Sequence, residues 1–307
     1  MQVIVHGGAG SAPDEPEPRQ AVLDEAAETG AGESSVVDAV ETAIHVLESS
    51  PRFNAGVGGA VQSDGAIRTD AGVMTSDRDA GAVCSMPGVE HAVSAARVVM
   101  EETPHVLVSG QHAVDLAVDY GVVETGVDLW SDDTRERWAD LDDRPEGSPR
   151  DHLDWLRDRF GGDPDDPDDG GDAATDDANP KDHDTVGAVA YDPDADEFAA
   201  ATSTGGRWLA LAGRVGDVPQ IGSGFFAAPA GAASATGAGE DIAKATLTRR
   251  AVRHLESGHD AQSAADRAIA EFGELTGSSA GVIVLDRDGT AGSAFNSEAM
   301  QTSVTHE

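Results

Sequence analysis

The chain has 307 residues, and its 39% of hydrophobic residues can build a sizeable core in one large α/β domain or two small ones. Its 57 acidic residues against 20 basic ones give a formal net charge of -37, which argues against nucleic acid and anionic membranes as partners because both would be repelled. Acidic residues occur along nearly the whole chain and lysine only at Lys181 and Lys244, so we interpret the charge as a solvation adaptation to a salt-rich cytoplasm.

The N-terminal part predicts strands followed by helices. A buried strand is expected at residues 2–5, followed by a glycine-rich turn at 6–10. Residues 35–49 place apolar side chains at helical spacing behind Ser35, a residue type that caps helices. Further on, the pattern predicts strands at 67–74 and 81–86, helices at 89–102 and 110–119, and one charged, tryptophan-bearing helical stretch at 134–160.

Two features bear on the compartment. The first ten residues lack a basic segment, and no stretch reaches the roughly 18 apolar residues that a membrane span needs, so we expect a soluble cytoplasmic protein. The single cysteine, Cys84, cannot form an internal disulfide or a thiolate metal site. Its apolar flanks predict a buried strand residue and not a catalytic one.

The composition changes abruptly at residues 161–184, which contain ten Asp, three Pro and nothing apolar larger than Ala. Such a segment cannot bury enough surface to order itself, so we predict a flexible, exposed linker. Residues 185–191 then return to β-forming side chains and lead through a turn to a second strand at 197–203. The remaining pattern predicts strands at 279–285 and 291–295 and helices at 240–256 and 260–272.

The junction between linker and strand is the chemically informative feature. If the bond before Thr185 were cut, its hydroxyl would lie beside its own free α-amine. An α-amine has an ordinary pKa of about 7.7 to 8.0 and can act as the base that activates a hydroxyl. The alternative is a threonine that merely begins a strand.

Seven segments, in order, resemble plant-type L-asparaginases, which are also isoaspartyl peptidases. They are residues 6–10 (HGGAG), 53–57 (FNAGV), 69–74 (TDAGVM), 183–189 (HDTVGAV), 201–206 (ATSTGG), 213–217 (GRVGD) and 236–240 (TGAGE). The resemblance covers residues 1–120 and 183–300. It implies a mixed α/β (α+β) fold, the four-layer αββα sandwich of N-terminal-nucleophile hydrolases, in one domain spanning 1–307.

The resemblance also implies how the protein matures. The precursor is expected to cut itself between Asp184 and Thr185 into an α chain, residues 1–184, and a β chain, residues 185–307. Two such heterodimers are expected to form a dimer. The substrate is expected to be a small molecule, L-asparagine or a β-aspartyl dipeptide.

Individual roles follow from the matched positions. Thr185 matches the nucleophile and Thr204 the hydroxyl beside it, for which strand filler is the alternative. Thr236 and Gly237 match the oxyanion hole, and Gly239 matches a backbone group that touches the substrate amine. A phosphate-binding loop is the competing interpretation of residues 236–239, but no Gly-Lys-Ser/Thr follows and the acidic helix start would repel phosphate.

Arg214 and Asp217 match the pair that holds the substrate's α-carboxylate and α-amine. A guanidinium binds a carboxylate through two parallel hydrogen bonds and a carboxylate accepts an ammonium, so the pair suits an amino acid. A surface ion pair is the alternative. Asn54 matches a residue near the cleavage and substrate site.

No catalytic cofactor is expected, but the resemblance implies a structural sodium ion. Its ligands would be the backbone carbonyls of Leu47, Glu48, Ser50, Phe53, Ala55 and Val57, and oxygen ligands suit a hard cation. The ten histidines are scattered and show no metal-binding spacing, which argues against a catalytic zinc or iron site.

One departure affects the substrate. Many asparaginases have Gly before the nucleophile, whereas His183-Asp184-Thr185 is closer to glycosylasparaginases. A glycosylasparaginase-type amidase is therefore an alternative function. An uncleaved, non-catalytic amino-acid-binding homologue is a second one.

Overall fold

The computed structural model describes residues 1–124, 126–160 and 185–305. The predicted linker at 161–184 lies outside the described residues. Within them, two β-sheets stack face to face and helices cover both outer faces. This arrangement confirms the predicted four-layer αββα sandwich.

The larger sheet has seven strands and the smaller has four. The larger consists of β1 (Gln2–Gly10), β2 (Arg68–Thr75), β3 (Ala80–Pro87), β4 (Leu107–Ser109), β5 (Val186–Asp192), β6 (Glu197–Thr204) and β11 (Ala299–Thr305). The smaller consists of β7 (Phe225–Ala228), β8 (Gly231–Gly237), β9 (Ala280–Asp286) and β10 (Ala291–Phe295). Their orders are β11-β1-β5-β6-β2-β3-β4 and β10-β9-β8-β7, and among the strand pairs of the described residues only β3–β4 is parallel.

Helices form the two outer layers. The larger sheet is covered by α1 (Pro16–Ala31), α2 (Val36–Glu48), α3 (Ala92–Glu102) and α4 (Gly110–Asp119). The smaller is covered by α7 (Gly239–Ala245), α8 (Leu247–Glu256) and α9 (Ala261–Thr276). Two further helices, α5 (Asp132–Ala139) and α6 (Pro149–Phe160), adjoin a separate apolar cluster around Trp208.

Period-two alternation in β5 explains why the sheets and helices stack in this order. Val186 and Ala188 face the helices, whereas Val189 and Tyr191 face the smaller sheet. Burying one large apolar side chain contributes about 1.5–3 kcal/mol, so both faces of the strand contribute to stability. Helix α2 forms as its spacing predicts, and the Ser35 side chain accepts a hydrogen bond from the Asp38 N–H at 3.1 Å.

Several local predictions were wrong. The turn expected at residues 6–10 is a continuation of β1, because the register against β11 shifts between His6 and Ala9 and then resumes. The helix expected at 240–256 breaks at Thr246, whose φ of 54° is left-handed. The stretch expected at 134–160 forms two helices, the first ending at Ala139 and the second beginning at Pro149, where proline's fixed φ suits a helix start.

A glycine on β2 allows the sheets to approach each other. A Cβ added to Gly72 would lie 2.0 Å from the Phe225 ring of the smaller sheet. We expect Gly72→Ala to destabilise the protein by about 1–3 kcal/mol through overpacking, seen as a lower melting temperature in calorimetry. Gly32→Ala is the control, since its Cβ would meet nothing closer than 3.4 Å and its φ is -74°. Equal melting temperatures for the two variants would contradict this account of sheet packing.

Candidate active site

Thr185 lies immediately before β5, in the centre of the larger sheet. The register of β5 against β6 pairs Val186 with Ser203, which places Thr185 beside Thr204. The Thr185 hydroxyl donates a hydrogen bond to the Thr204 hydroxyl at 3.3 Å. The structure therefore brings these two predicted residues together, on the sheet face that meets the smaller sheet.

Asn54 joins two loops next to this pair. Its Nδ2 donates to the Gly206 carbonyl at 2.6 Å, and its Oδ1 accepts from the Ala60 N–H at 2.9 Å. Its backbone carbonyl accepts from the Gly205 N–H at 2.8 Å and from the Thr204 hydroxyl at 3.4 Å. Both ends of the side-chain amide thus bond to backbone, which fixes the loop after Thr204.

Thr236 and Gly237 lie at the end of β8, in the other sheet. The Thr236 hydroxyl is buried and accepts a hydrogen bond from the Ala9 N–H at 3.3 Å. Within β1, His6 contacts Ser234 and, nearer the end of the strand, Ala9 contacts Thr236. Because β5 is antiparallel to β1, its start at Thr185 lies at the same end of the sheet interface as Thr236.

A chain of buried polar groups lies between the sheets behind the threonines. The Thr202 hydroxyl donates its one proton to the Gly224 carbonyl at 2.9 Å, so it must accept a hydrogen bond from the Ser234 hydroxyl, 2.7 Å away. The Ser234 hydroxyl has then used its own proton and accepts a hydrogen bond from Nε2 of His6 at 3.0 Å. Burial lowers the pKa of His6 to about 3, with the backbone of Thr185 acting in the opposite direction. The imidazole is therefore neutral at physiological pH and carries its proton on Nε2.

Arg214 and Asp217 converge on Gly239, the first residue of α7. A Cβ at Gly239 would lie 2.7 Å from Arg214 Nη2 and 2.9 Å from Asp217 Oδ1, so only glycine leaves both groups in place. Asp217 is 4% exposed, and its Oδ2 is buried without a hydrogen-bond partner among the described residues. Burial raises the pKa of Asp217 to about 7. A buried carboxylate oxygen lacking a donor suits a ligand ammonium.

Glu240 is a member of this site that the sequence analysis had not assigned. Its carboxylate accepts two hydrogen bonds from Arg214, one from Nε and one from Nη2, both at 2.7 Å. Burial alone would raise the pKa of Glu240, but the hydrogen bonds from Arg214 lower it to about 2. Glu240 thus fixes one edge of the guanidinium, and the opposite edge, which includes Nη1, remains for a carboxylate.

Asp70 is a second member that was not assigned, although it stands in the quoted TDAGVM segment. It lies directly opposite Thr204 across the β2–β6 pair, and its Oδ1 accepts from the Ser85 N–H at 2.7 Å. Burial raises the pKa of Asp70 to about 7, against the Ser85 hydrogen bond and the charge of Arg214. Thr185, Thr204 and Asp70 therefore form one row across three neighbouring strands. An acidic residue inside a predicted strand was the available signal.

Three of the six backbone carbonyls expected to hold sodium already accept backbone hydrogen bonds. The carbonyls of Leu47, Glu48 and Ser50 accept hydrogen bonds from the N–H groups of Ser50, Val57 and Phe53, at 3.3, 2.8 and 3.3 Å. Each carbonyl oxygen has a second lone pair that a hard cation could use. Phe53 and Ala55 are buried, and Val57 is partly exposed.

Three further predictions concern Asp184, Cys84 and the absence of a membrane span. Asp184, on the N-terminal side of the expected cleavage, lies outside the described residues. Cys84 is a buried free cysteine on β3, and burial raises the pKa of its thiol to about 11, so it is a weak nucleophile. None of the described helices combines the length and apolar character needed to cross a bilayer.

Comparison with known proteins points to one family. A family model described as asparaginase matches residues 1–307. The plant-type L-asparaginase of Pyrococcus abyssi is 37% identical to the chain over 317 residues, covering 98% of this chain and 94% of the relative. The isoaspartyl peptidase/L-asparaginase of Danio rerio is 36% identical, covering 97% and 90%. Its namesake from Rattus norvegicus is 34% identical, covering 98% and 84%.

Proposed function

The chain belongs to the asparaginase family, and on that premise we propose that it is a self-cleaving threonine amidohydrolase. It hydrolyses L-asparagine to L-aspartate and ammonia, and it cleaves β-aspartyl dipeptides. One observation carries the proposal: the hydroxyls of Thr185 and Thr204 are hydrogen-bonded, and Arg214 and Asp217 converge on Gly239 close enough for the charge of Arg214 to act on Asp70, opposite Thr204.

The amino-acid end of the substrate is held by charge. The edge of the Arg214 guanidinium opposite Glu240 binds the α-carboxylate, and the buried Oδ2 of Asp217 accepts the α-ammonium. Gly239 leaves room between the two and presents its backbone to the amine. The side-chain amide of the substrate then projects toward the threonines.

The chemistry follows from Thr185 as a chain terminus. Its Oγ attacks the amide carbonyl of the substrate while its own α-amine takes the hydroxyl proton. Thr236 and the Gly237 N–H stabilise the oxyanion, and removing one such donor typically costs about 10²–10³ in rate. Ammonia leaves with a proton, and water then releases aspartate from the ester. With a β-aspartyl dipeptide, an amino acid leaves instead.

Maturation uses the same oxygen. Before cleavage, Thr185 Oγ attacks the carbonyl of Asp184, and water opens the resulting ester to free the α-amine. Residues 1–184 and 185–307 stay associated because strands of the two pieces pair within one sheet, β5 with β1 and β6 with β2. A dimer of these heterodimers, a sodium ion in the loop at 47–57, a cytoplasmic location and adaptation to salt are further parts of the proposal. The charge of -37 supports the last of these.

Three substrates distinguish the proposal from its alternatives. We expect purified protein to release ammonia from L-asparagine and leucine from β-aspartyl-leucine, and to leave a glycosylated asparagine intact. Mass spectrometry measures each product. Preferred turnover of the glycosylated substrate would support a glycosylasparaginase-type amidase, which the sequence His183-Asp184 favours. Binding without turnover of any of the three would support the non-catalytic homologue.

Thr185→Ala removes both the nucleophile and the self-cleaving oxygen. We expect one full-length band of 31.5 kDa on a denaturing gel and no ammonia from L-asparagine. Thr69→Ser is a matched control, because Thr69 is a buried β2 threonine whose hydroxyl donates to the carbonyls of Met86 and Val89. It should cleave normally. Two fragments from Thr185→Ala would refute the assigned role.

The charge of Asp70 should affect where the acidic limb of the pH profile falls. Both the Thr185 α-amine and Asp217 must be deprotonated, so log kcat/KM should rise with a slope approaching two below about pH 7. The charge of Asp70 raises the pKa of Asp217, and Asp70→Asn removes it while Asn can still accept from Ser85. The lower break should therefore move to lower pH.

The control is Asp119→Asn, at an exposed position at the end of α4. It should leave both breaks of the profile unchanged. If the lower break of the Asp70→Asn profile stayed at the same pH or moved to higher pH, the coupling between Asp70 and Asp217 would be contradicted.

A further inference from the structure

Two histidines that are far apart in the sequence meet at one glutamate. His45 and Glu48 lie three residues apart on one face of α2, and His91 immediately precedes α3. One ligand atom from each residue lies within 4.8 Å of the others, and no second group of this kind occurs in the described part of the chain. The cluster lies on the helical side of the larger sheet, away from Thr185.

Glu48 is held in one orientation. Its side chain is fully buried, and Oε1 accepts hydrogen bonds from the Ser203 hydroxyl at 2.6 Å and the Val93 N–H at 3.2 Å. Its Oε2 lies 3.3 Å from His91 Nδ1. Two ligands of a tetrahedral zinc ion, each about 2.0–2.1 Å from the metal, are separated by about 3.3–3.4 Å. This oxygen and nitrogen are therefore already at the spacing that a shared ion requires.

His45 has the hydrogen-bond arrangement of a metal ligand. The Ser94 hydroxyl donates its one proton to Glu41 at 2.6 Å, so at 2.7 Å it must accept from Nε2–H of His45. Neutral His45 then has a lone pair on Nδ1. Metal-bound histidines usually donate their other N–H to such a partner, which fixes the tautomer and the ring orientation. The ring centroid of His45 is 4.3 Å from that of His91.

The local charge and access also suit a cation. Besides Glu48, the Glu41 carboxylate lies 3.8 Å from His45 Nε2, and Glu90 lies 3.8 Å from His91 Nε2. Arg97 bonds to Glu41 and offsets part of this negative charge. Both histidine side chains are about one-third exposed, which leaves a path for an ion from solvent.

We propose that His45, Glu48 and His91 bind a divalent transition-metal ion. Two imidazoles and a carboxylate suit zinc, with water or a neighbouring carboxylate completing a four-coordinate shell. The site uses the side chain of Glu48, whereas the expected sodium site uses its backbone oxygen. Because Glu48 also bonds to Ser203 on β6, the ion would link α2, the start of α3 and the larger sheet, and so stabilise the fold.

The test is zinc binding to the full-length, self-cleaved protein. The protein is stripped with a chelator and titrated with Zn²⁺ by calorimetry in excess Mg²⁺, which occupies plain carboxylate sites. We expect one Zn²⁺ per 307-residue sequence and a zinc-dependent rise in melting temperature. The double variant His45→Gln/His91→Asn should bind at least about tenfold more weakly and lose the rise.

A second histidine pair provides the matched control. The rings of His254 and His259 are 5.7 Å apart, and His254 Nε2 lies 3.0 Å from Glu271, beside Arg250 and Arg253. Zinc affinity and the melting shift should be unchanged in His254→Gln/His259→Asn. No binding in the presence of Mg²⁺, or equal affinity in wild type and the His45/His91 variant, would overturn the proposal. Neither readout depends on hydrolysis, so failure here leaves the proposed function intact.

Discussion

The pairing of β5 between β1 and β6 is the constraint on which the candidate active site depends. Hydrogen bonds on both edges fix the strand, so the residue immediately before it, Thr185, has a defined neighbour on β6. That neighbour is Thr204, and Asp70 follows on the next strand. The same pairing would hold a new chain terminus in place after cleavage, because the strand does not need a covalent connection to keep its register.

Charge at the substrate end is balanced around one guanidinium. Asp70, Asp217 and Glu240 all act on Arg214, but they differ in environment. Glu240 is half-exposed and hydrogen-bonded to Arg214, so it stays ionised, whereas burial raises the pKa values of Asp70 and Asp217 to about 7. A ligand that brings an ammonium to Asp217 and a carboxylate to Arg214 supplies the charges that this arrangement lacks. In the proposed function, this arrangement selects an amino acid by electrostatics and leaves the reactive end to the threonines.

The sequence predicted strong local patterns and ordered motifs. Helix α2 was predictable because its apolar side chains recur at helical spacing, and β5 because β-forming residues follow abruptly on an acidic segment. Strand β8, with the sequence GAASATG, and helix α1 were missed because alanine and glycine carry little periodic signal. The motif resemblance brought Thr204, Arg214 and Asp217 into the candidate site, and the structure places them around Thr185 and Gly239.

Long-range contacts could not be predicted from the sequence. Nothing in the spacing indicates that Glu240 bonds to Arg214, or that His91 reaches Glu48, because both contacts depend on how distant loops and helices pack. Asp70 was visible as an acid within a predicted strand, but its place opposite Thr204 required the register of β2 against β6. These residues were missed because the sequence does not show tertiary contacts, although each residue type carries a chemical signal.

The central claim is that the hydroxyl of Thr185 works beside its own α-amine, and one measurement tests it most directly. Active wild-type protein is analysed by intact mass and N-terminal sequencing, with ammonia release from L-asparagine followed in the same fractions. The account predicts two chains, the second beginning at Thr185, and activity in proportion to the cleaved fraction. Full activity in fractions that contain only the intact 307-residue chain would contradict it.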